Sequence, residues 1–356
     1  MKSRLAWADN AKALGMCLVF WGHLLERGAF SDPSMIVHDI YKAIYAFHMP
    51  FFFLLAGYFF KPRDVRFGAL VVEKFKSRLV PVIFFVGLST LFWQVPGWWG
   101  LPENDNGPLY AVQKFALLYQ GKPAVNWPCW FLVCLFVTEL AASEVMPFAR
   151  SQLRHLLAIA ACGWVAWQVA TDVSLSAARG GFVDANWWFL QEATVAIVFY
   201  LVGQYIRLYA AFVLPDGSKR AMVVMLVVIT GFLMTFNRNF SDGLGVTNMS
   251  GGTHGSWQWF WSAAVLGSLA LIHIAALVPT SRVLSYIGNN TVPLLGLNGM
   301  MLEFYNSYFW VWCEPYMGSW SIVTITLGVA LGSLLLCFPI IYLFNKLVPF
   351  LVGQWK

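Results

Sequence analysis

Apolar runs of about twenty residues recur along the chain, separated by charged or Gly-, Pro- and Asn-rich breaks. A helix of about twenty residues rises about 30 Å, the thickness of a bilayer's hydrocarbon core. The pattern predicts ten spans, near residues 10–28, 40–60, 79–96, 127–146, 153–171, 187–209, 220–236, 257–279, 286–310 and 320–346. The ninth contains GNNTVPLLGLNG, whose Gly, Asn and Pro predict a break. Residues 11–25 lack a small-residue cleavage site and carry polar side chains, so the first run reads as a permanent span and not a signal peptide. No soluble domain, repeat or low-complexity segment interrupts the series. The expected fold class is all-α: a polytopic integral membrane protein with about ten transmembrane helices, forming one domain over residues 1–356.

Composition agrees with this setting. Of 356 residues, 59% are hydrophobic and 11% charged, where a soluble domain carries about a quarter charged. The net charge of +6 therefore implies no nucleic-acid partner; membrane lipid is the first partner expected. The placement of the charges is more telling. With a cytoplasmic N-terminus and alternating spans, 16 Lys and Arg fall inside and six outside, with Lys12 inside the first span. This asymmetry predicts that both termini are cytoplasmic. The six cysteines form no C-x-x-C pair, and no His, Asp or Glu spacing is distinctive, so neither a disulfide framework nor a metal is expected.

Tryptophan is skewed the other way. Thirteen of 18 lie toward the predicted outer face, and only Trp7 and Trp355 lie at the inner edge. One reading is a lopsided anchoring belt. The other is an outward cavity whose rings stack on sugar faces. WPCWF (127–131) and the Gly- and Asn-rich loop 237–259 are the places to look, which makes Trp127, Trp130 and Asn237 candidate acceptor-binding residues.

The first span carries the candidate chemistry. Lys12 and His23 are 11 residues apart, three turns plus about 20°, and so share a face about 16 Å apart along the axis. Asp9 precedes Lys12 by three residues and Glu26 follows His23 by three, spacings at which helical side chains meet. Ionisable groups in a span normally face the protein interior or a water-filled path. Asp9 and Lys12 could instead be interfacial and His23 a structural hydrogen-bonder. The proximity of Glu26 favours an oriented imidazole, the arrangement a general base needs. His48 is a second candidate, although Pro50 beside it frees a backbone carbonyl that such a side chain would satisfy. Glu139, Glu192 and Glu303 also fall within spans, where each could pair with Lys12 or a basic loop residue.

These residues resemble the membrane acyltransferase 3 family, and within it the fucose-4-O-acetylase-like branch. The family's Arg/Lys-x10-His pattern is matched by Lys12 and His23. IYAFHMPFFFLLAGYFF resembles the family's F-H-M-P block through His48, Pro50, Gly57 and Tyr58, and RDVR supplies its R-x-x-R as Arg63 and Arg66. WFL (130–132) and YIGNNT (286–291) match weaker signatures. One departure is Asn298, near where relatives commonly carry His.

The resemblance implies a multi-pass protein of a bacterial cytoplasmic (inner) membrane. It implies O-acyl transfer, usually of acetyl from cytoplasmic acetyl-CoA as acyl donor, to a hydroxyl of an extracytoplasmic glycan or lipid-linked oligosaccharide acceptor. Polysaccharide-assembly proteins are implied partners. The segment KPRDVRFGALVVEKFKSR (61–78) agrees, since it offers six basic residues on the donor's side. Arg63, Arg66 and Arg78 are the candidate donor-binding residues, because guanidinium forks suit phosphates. Positive-inside bias alone would also place cations there. His23 would act as general base or acyl carrier, with Glu26 and Lys12 in support. A transporter or flippase of a glycan or acid is the rival class, since intramembrane charges and broken helices serve it too.

Overall fold

The computed structural model describes residues 6–31, 35–61, 66–94, 107–178, 187–240, 245–313 and 316–355. Its α-helices are α1 (Ala6–Ser31), α2 (Ile36–Tyr45), α3 (His48–Phe59), α4 (Phe67–Lys74), α5 (Val80–Gln94), α6 (Gly107–Ala116), α7 (Trp130–Val145) and α8 (Gln152–Ala178). They continue with α9 (Leu190–Tyr209), α10 (Lys219–Thr235), α11 (Trp257–Leu277), α12 (Arg282–Asn289), α13 (Thr291–Phe304), α14 (Trp310–Cys313) and α15 (Ser319–Leu347). Among the described residues, six helical stretches are long and apolar enough to cross a membrane: Ile36–Phe59, Phe67–Phe92, Trp127–Val145, Trp187–Tyr209, Trp257–Leu277 and Ser319–Leu347. The other four apolar runs of the sequence fall on α1, α8, α10 and the α12–α14 segment. The chain is an all-α membrane protein.

Three expectations need correction. The second run is two helices, because the chain turns at Ala46 and Phe47. The third begins at Phe67 and not near 79; α4 passes through one π-helical turn, Phe75–Leu79, into α5. Most of the expected charged loop 61–78 is therefore helix. Its charges read as a loop because they oppose lipid, but a helix can carry them where they meet partners. Finally, α6 forms where an outer loop was expected, being too short for its apolar face to register as a span.

α1 lies in the middle of the bundle, packed against α2, α11, α12 and α15. Ala11, Ala13, Phe20, Leu24 and Leu25 are fully buried along it. Its polar groups fasten it to its neighbours. Asn10 Nδ2 donates to the Ala275 and Val278 carbonyls at 3.1 and 2.7 Å, occupying the open end of α11. Trp21 Nε1 donates to Thr326 Oγ1 of α15 at 3.1 Å. The outer helices expose apolar side chains instead: Trp164 and Trp167 on α8, Leu226 and Val227 on α10, Leu335 and Leu336 on α15. Such faces suit contact with acyl chains. Below, the end where α1 begins is the base, and the end where it finishes is the crown.

The break after α2 is built to leave few backbone groups unpaired. Phe47 N–H donates to the Ile44 carbonyl at 3.3 Å, and His48 Nδ1 lies 2.9 Å from the same oxygen. Pro50 falls in the first turn of α3, where a missing N–H costs no helical bond. α3 then crosses α9 at very short range. Gly57 rests on the Tyr200 backbone and Gly203 on the Leu54 backbone, so neither position has room for a Cβ. Small residues at such crossings replace a hydrophobic driving force that lipid does not provide.

Gly57→Ala and Gly203→Ala should each destabilise the bundle by about 1–3 kcal/mol, the usual cost of overpacking. Gly332→Ala, with nothing near its Cβ position, should be neutral or stabilising by up to about 1 kcal/mol. Thermal unfolding of the purified protein in detergent reads the difference.

Candidate active site

The polar stripe of α1 is turned toward the broken second helix along most of its length. Lys12 Nζ lies over the Phe59 ring, 5.1 Å from its centroid. Gly15 lets Phe51 and Phe52 approach, and Gly22 lets Ile44 and Tyr45 approach. One residue on, His23 Nδ1 is 3.3 Å from the Tyr45 hydroxyl. At the crown end, Glu26 accepts a hydrogen bond from the Tyr41 hydroxyl. Tyr45 therefore stands between two imidazoles, since its ring centroid is 4.7 Å from that of His48. Lys12 and His23 are half-buried, Glu26 is exposed and Asp9 is buried. Asp9 sits where Gly288 of α12 meets its backbone.

At the base lies a cavity of about 1260 Å³, ample for a large ligand. Lys12, Lys61, Lys74, Arg78 and Arg150 line it, against Glu73, Glu139 and Glu144, so its balance is positive. Its wall holds an ion cluster in which the buried Glu139 meets two half-buried cations. Arg78 grips Glu139 with Nε and one terminal nitrogen at 2.9 and 3.0 Å, and Lys74 Nζ donates to Glu139 Oε1 at 3.0 Å. The cavity extends along α3 from Phe60 to Phe52, about 12 Å of helix. Phe52 is one turn, about 6 Å, from His48 and touches the Gly15 position. The deep end thus comes within one turn of His48 along α3, whereas on α1 the wall is formed by Lys12, about 16 Å along the axis from His23.

The crown is organised by polar side chains. Asn126, fully buried, donates to Ser89 Oγ at 3.0 Å and to the Gly296 carbonyl at 2.8 Å, fixing the short 3₁₀ turn Trp127–Cys129. Trp127 stays partly exposed and donates through Nε1 to Ser250 Oγ at 3.1 Å. Trp130 opens α7 and is buried against Phe53 and Phe189. The segment around Ser250 also packs Val246 against the buried cluster that contains Leu25, Tyr41 and Ile44. It therefore bridges Trp127 and the crown end of the stripe. Asn237, exposed, accepts from the buried Lys42 Nζ on α2.

The structure thus gathers Lys12, His23, Glu26 and His48 along one helix pair and brings Arg78 to the cavity beside Lys12. Arg66 is exposed just before α4 and is not on the cavity wall. Arg63 and the side chain of Glu303 lie outside the described residues. Trp130 faces the core, whereas Trp127 keeps an open ring. Sequence reasoning missed Lys61, Lys74 and Arg150 as cavity residues, and Tyr41 and Tyr45 as partners of the stripe. Tyr41, Tyr45 and His48 do fall at i, i+4 and i+7 in YKAIYAFH, the spacing of one helical face. Asn298 is fully buried with neither amide atom hydrogen-bonded.

A model of the family described as an acyltransferase domain, Acyl_transf_3, matches residues 5–342. The chain belongs to the membrane acyltransferase 3 family. No curated protein and no solved structure matches it. Membership decides between an acyltransferase and a transporter, and the whole stripe of this acyltransferase lies inside the match. An acyl-transfer site needs a base near the attacking hydroxyl and a route for the donor. Among the described residues, the His23 layer offers an imidazole and the base cavity offers room lined with cations.

Removing the acid of the ion cluster should be severe. Glu139→Gln leaves Arg78 and Lys74 facing each other under cover, and breaking a buried pair costs about 3–5 kcal/mol. Folded yield and unfolding temperature should fall sharply. Asp216→Asn, which breaks the exposed pair with Arg220, should leave both unchanged.

Proposed function

We propose that this membrane acyltransferase moves an acetyl group from acetyl-CoA in the base cavity to a hydroxyl of a glycan, or of a lipid-linked oligosaccharide, that approaches from the crown. The observation that carries the reading is the cavity itself. It is lined with cations, roomy, and reaches Phe52, one helical turn along α3 from His48. The phosphates of the donor would meet Lys61, Arg150 and Lys12. Arg63 and Arg66 of the R-x-x-R motif remain candidates for holding them, and Arg78, whose fork is taken by Glu139, would contribute its charge. The base is then the cytoplasmic face, as the charge asymmetry of the sequence implies. In the fucose-4-O-acetylase-like branch that the sequence resembles, the acceptor is a sugar. Trp127 offers an open ring for its apolar face.

His23 would take the proton of the attacking hydroxyl at Nε2 as the new C–O bond forms. When the C–S bond breaks, the same proton passes to the departing thiolate, so none is gained or lost. A neutral imidazole suits both transfers near pH 7. Succinyl and other short acyl groups would use the same path.

Purified protein with acetyl-CoA and a glycan acceptor should transfer acetyl, and His23→Ala should lower the rate by about 10²–10⁴-fold, the range for a general base. Glycans from cells lacking the protein should lose acetyl-sized mass increments. Unchanged turnover in a folded His23→Ala protein would place the centre elsewhere. Arg63→Ala and Arg66→Ala should raise the KM for acetyl-CoA more than that for the acceptor, with Lys replacements rescuing only in part. An unchanged donor KM would leave the two arginines as charges that set topology.

A further inference from the structure

Glu26 lies three residues from His23, yet the hydrogen bonds in the structure lead from one to the other by way of α2. His23 Nδ1 meets the Tyr45 hydroxyl at 3.3 Å, Tyr45 and Tyr41 are hydrogen-bonded with ring centroids 4.1 Å apart, and Tyr41 meets Glu26. With Glu26 ionised, the order of donors along this chain is fixed. A carboxylate only accepts, so Tyr41 must donate its single proton to Glu26. The Tyr41 oxygen can then only accept, from Tyr45. The Tyr45 oxygen in turn accepts from His23, which places the imidazole proton on Nδ1 and the lone pair on Nε2.

We infer that Tyr45 and Tyr41 are positioning residues: a directed hydrogen-bond relay by which the exposed carboxylate of Glu26 sets the tautomer and orientation of the half-buried His23. This rests on the reading of His23 as the base and extends it, because the relay specifies which nitrogen works. It also spreads the positive charge that develops on the ring. When Nε2 takes the hydroxyl proton, the imidazolium's Nδ1–H polarises two hydroxyls in series toward a negative charge, and chains of this kind strengthen cooperatively. When Nε2 passes the proton on to the thiolate, the relay returns to its starting state with no proton displaced. His48 cannot replace Tyr45 in this role, because its Nδ1 is occupied by the Ile44 carbonyl. Phe30 covers the relay on one side, its ring centroid 5.9 Å from that of Tyr41. Gly22 permits the close approach of Tyr45 on the other.

Tyr45→Phe keeps the ring and removes the link. It should lower kcat by about 10–100-fold, the range for groups that orient a metal-bound histidine, and leave the KM for acetyl-CoA and the unfolding temperature unchanged. Glu26→Gln should lower kcat on its own but have no further effect in the Tyr45→Phe protein, because a broken chain no longer carries its influence. A second readout does not need activity. With ¹⁵N-labelled histidine, the resonances lost in His23→Ala identify this ring. They should show Nδ1 protonated in the wild type and a mixture of tautomers in Tyr45→Phe. Additive losses from Glu26→Gln and Tyr45→Phe, or an unchanged tautomer and kcat in Tyr45→Phe, overturn the relay even if His23→Ala is inactive. A tautomer that shifts as expected in a protein whose His23→Ala variant keeps full turnover would retain the relay and overturn the role of His23 in transfer.

Discussion

A charged or polar side chain inside a bilayer must find its partner within the protein, because lipid offers none. α1 carries Asp9, Asn10, Lys12, His23 and Glu26, so it stands in the middle of the bundle and its neighbours are shaped to receive it. Asn10 closes the end of α11. Gly15 and Gly22 bring the second helix into contact, and that helix is broken at Ala46 and Phe47, beside Tyr45 and His48. The break turns the chain between Tyr45 and His48, and the Ile44 carbonyl there meets both the Phe47 N–H and His48 Nδ1. The polar stripe and the interrupted helix are thus two halves of one solution to the same constraint.

The constraint also divides the molecule from end to end. At the base, basic residues surround a large cavity, and Glu139 holds two of them within its wall. At the crown, tryptophans and asparagines meet a hydrogen-bonded segment instead. The first environment suits an anionic, phosphate-bearing donor. The second suits a neutral, hydroxyl-rich acceptor. Between them the chain leaves one layer, His23, Tyr45 and His48, of which His48 lies about one helical turn along α3 from Phe52 on the cavity wall.

Much of this was legible in the sequence because lipid penalises errors of placement so heavily. The all-α class follows from apolar runs, and the shared face of Lys12 and His23 follows from 3.6-residue periodicity. Less was legible where local pattern misleads. Charges between 61 and 78 suggested a loop, but Lys74 and Arg78 sit on a helix because Glu139, 61 residues beyond Arg78, receives them both. No spacing rule relates residues so far apart. Tyr41 and Tyr45 look like ordinary aromatic packing until His23 and Glu26 are seen to bracket them. Trp127 and Trp130 looked alike in WPCWF. The 3₁₀ turn leaves the first partly open, and the start of α7 buries the second against Phe53 and Phe189.

The most direct test is a structure of the protein in a lipid nanodisc with a non-hydrolysable thioether analogue of acetyl-CoA. The analogue should occupy the base cavity, with its phosphates against Lys61, Arg150 and Lys12, Phe52 displaced, and its acyl carbon directed at His23 Nε2. With room for a hydroxyl between them, carbon and nitrogen should stand about two near-attack contacts apart, each about 3–3.5 Å. An analogue bound at the crown, or one whose acyl group ends on a wall of the cavity away from α1, would contradict the donor path and the role of the histidine together.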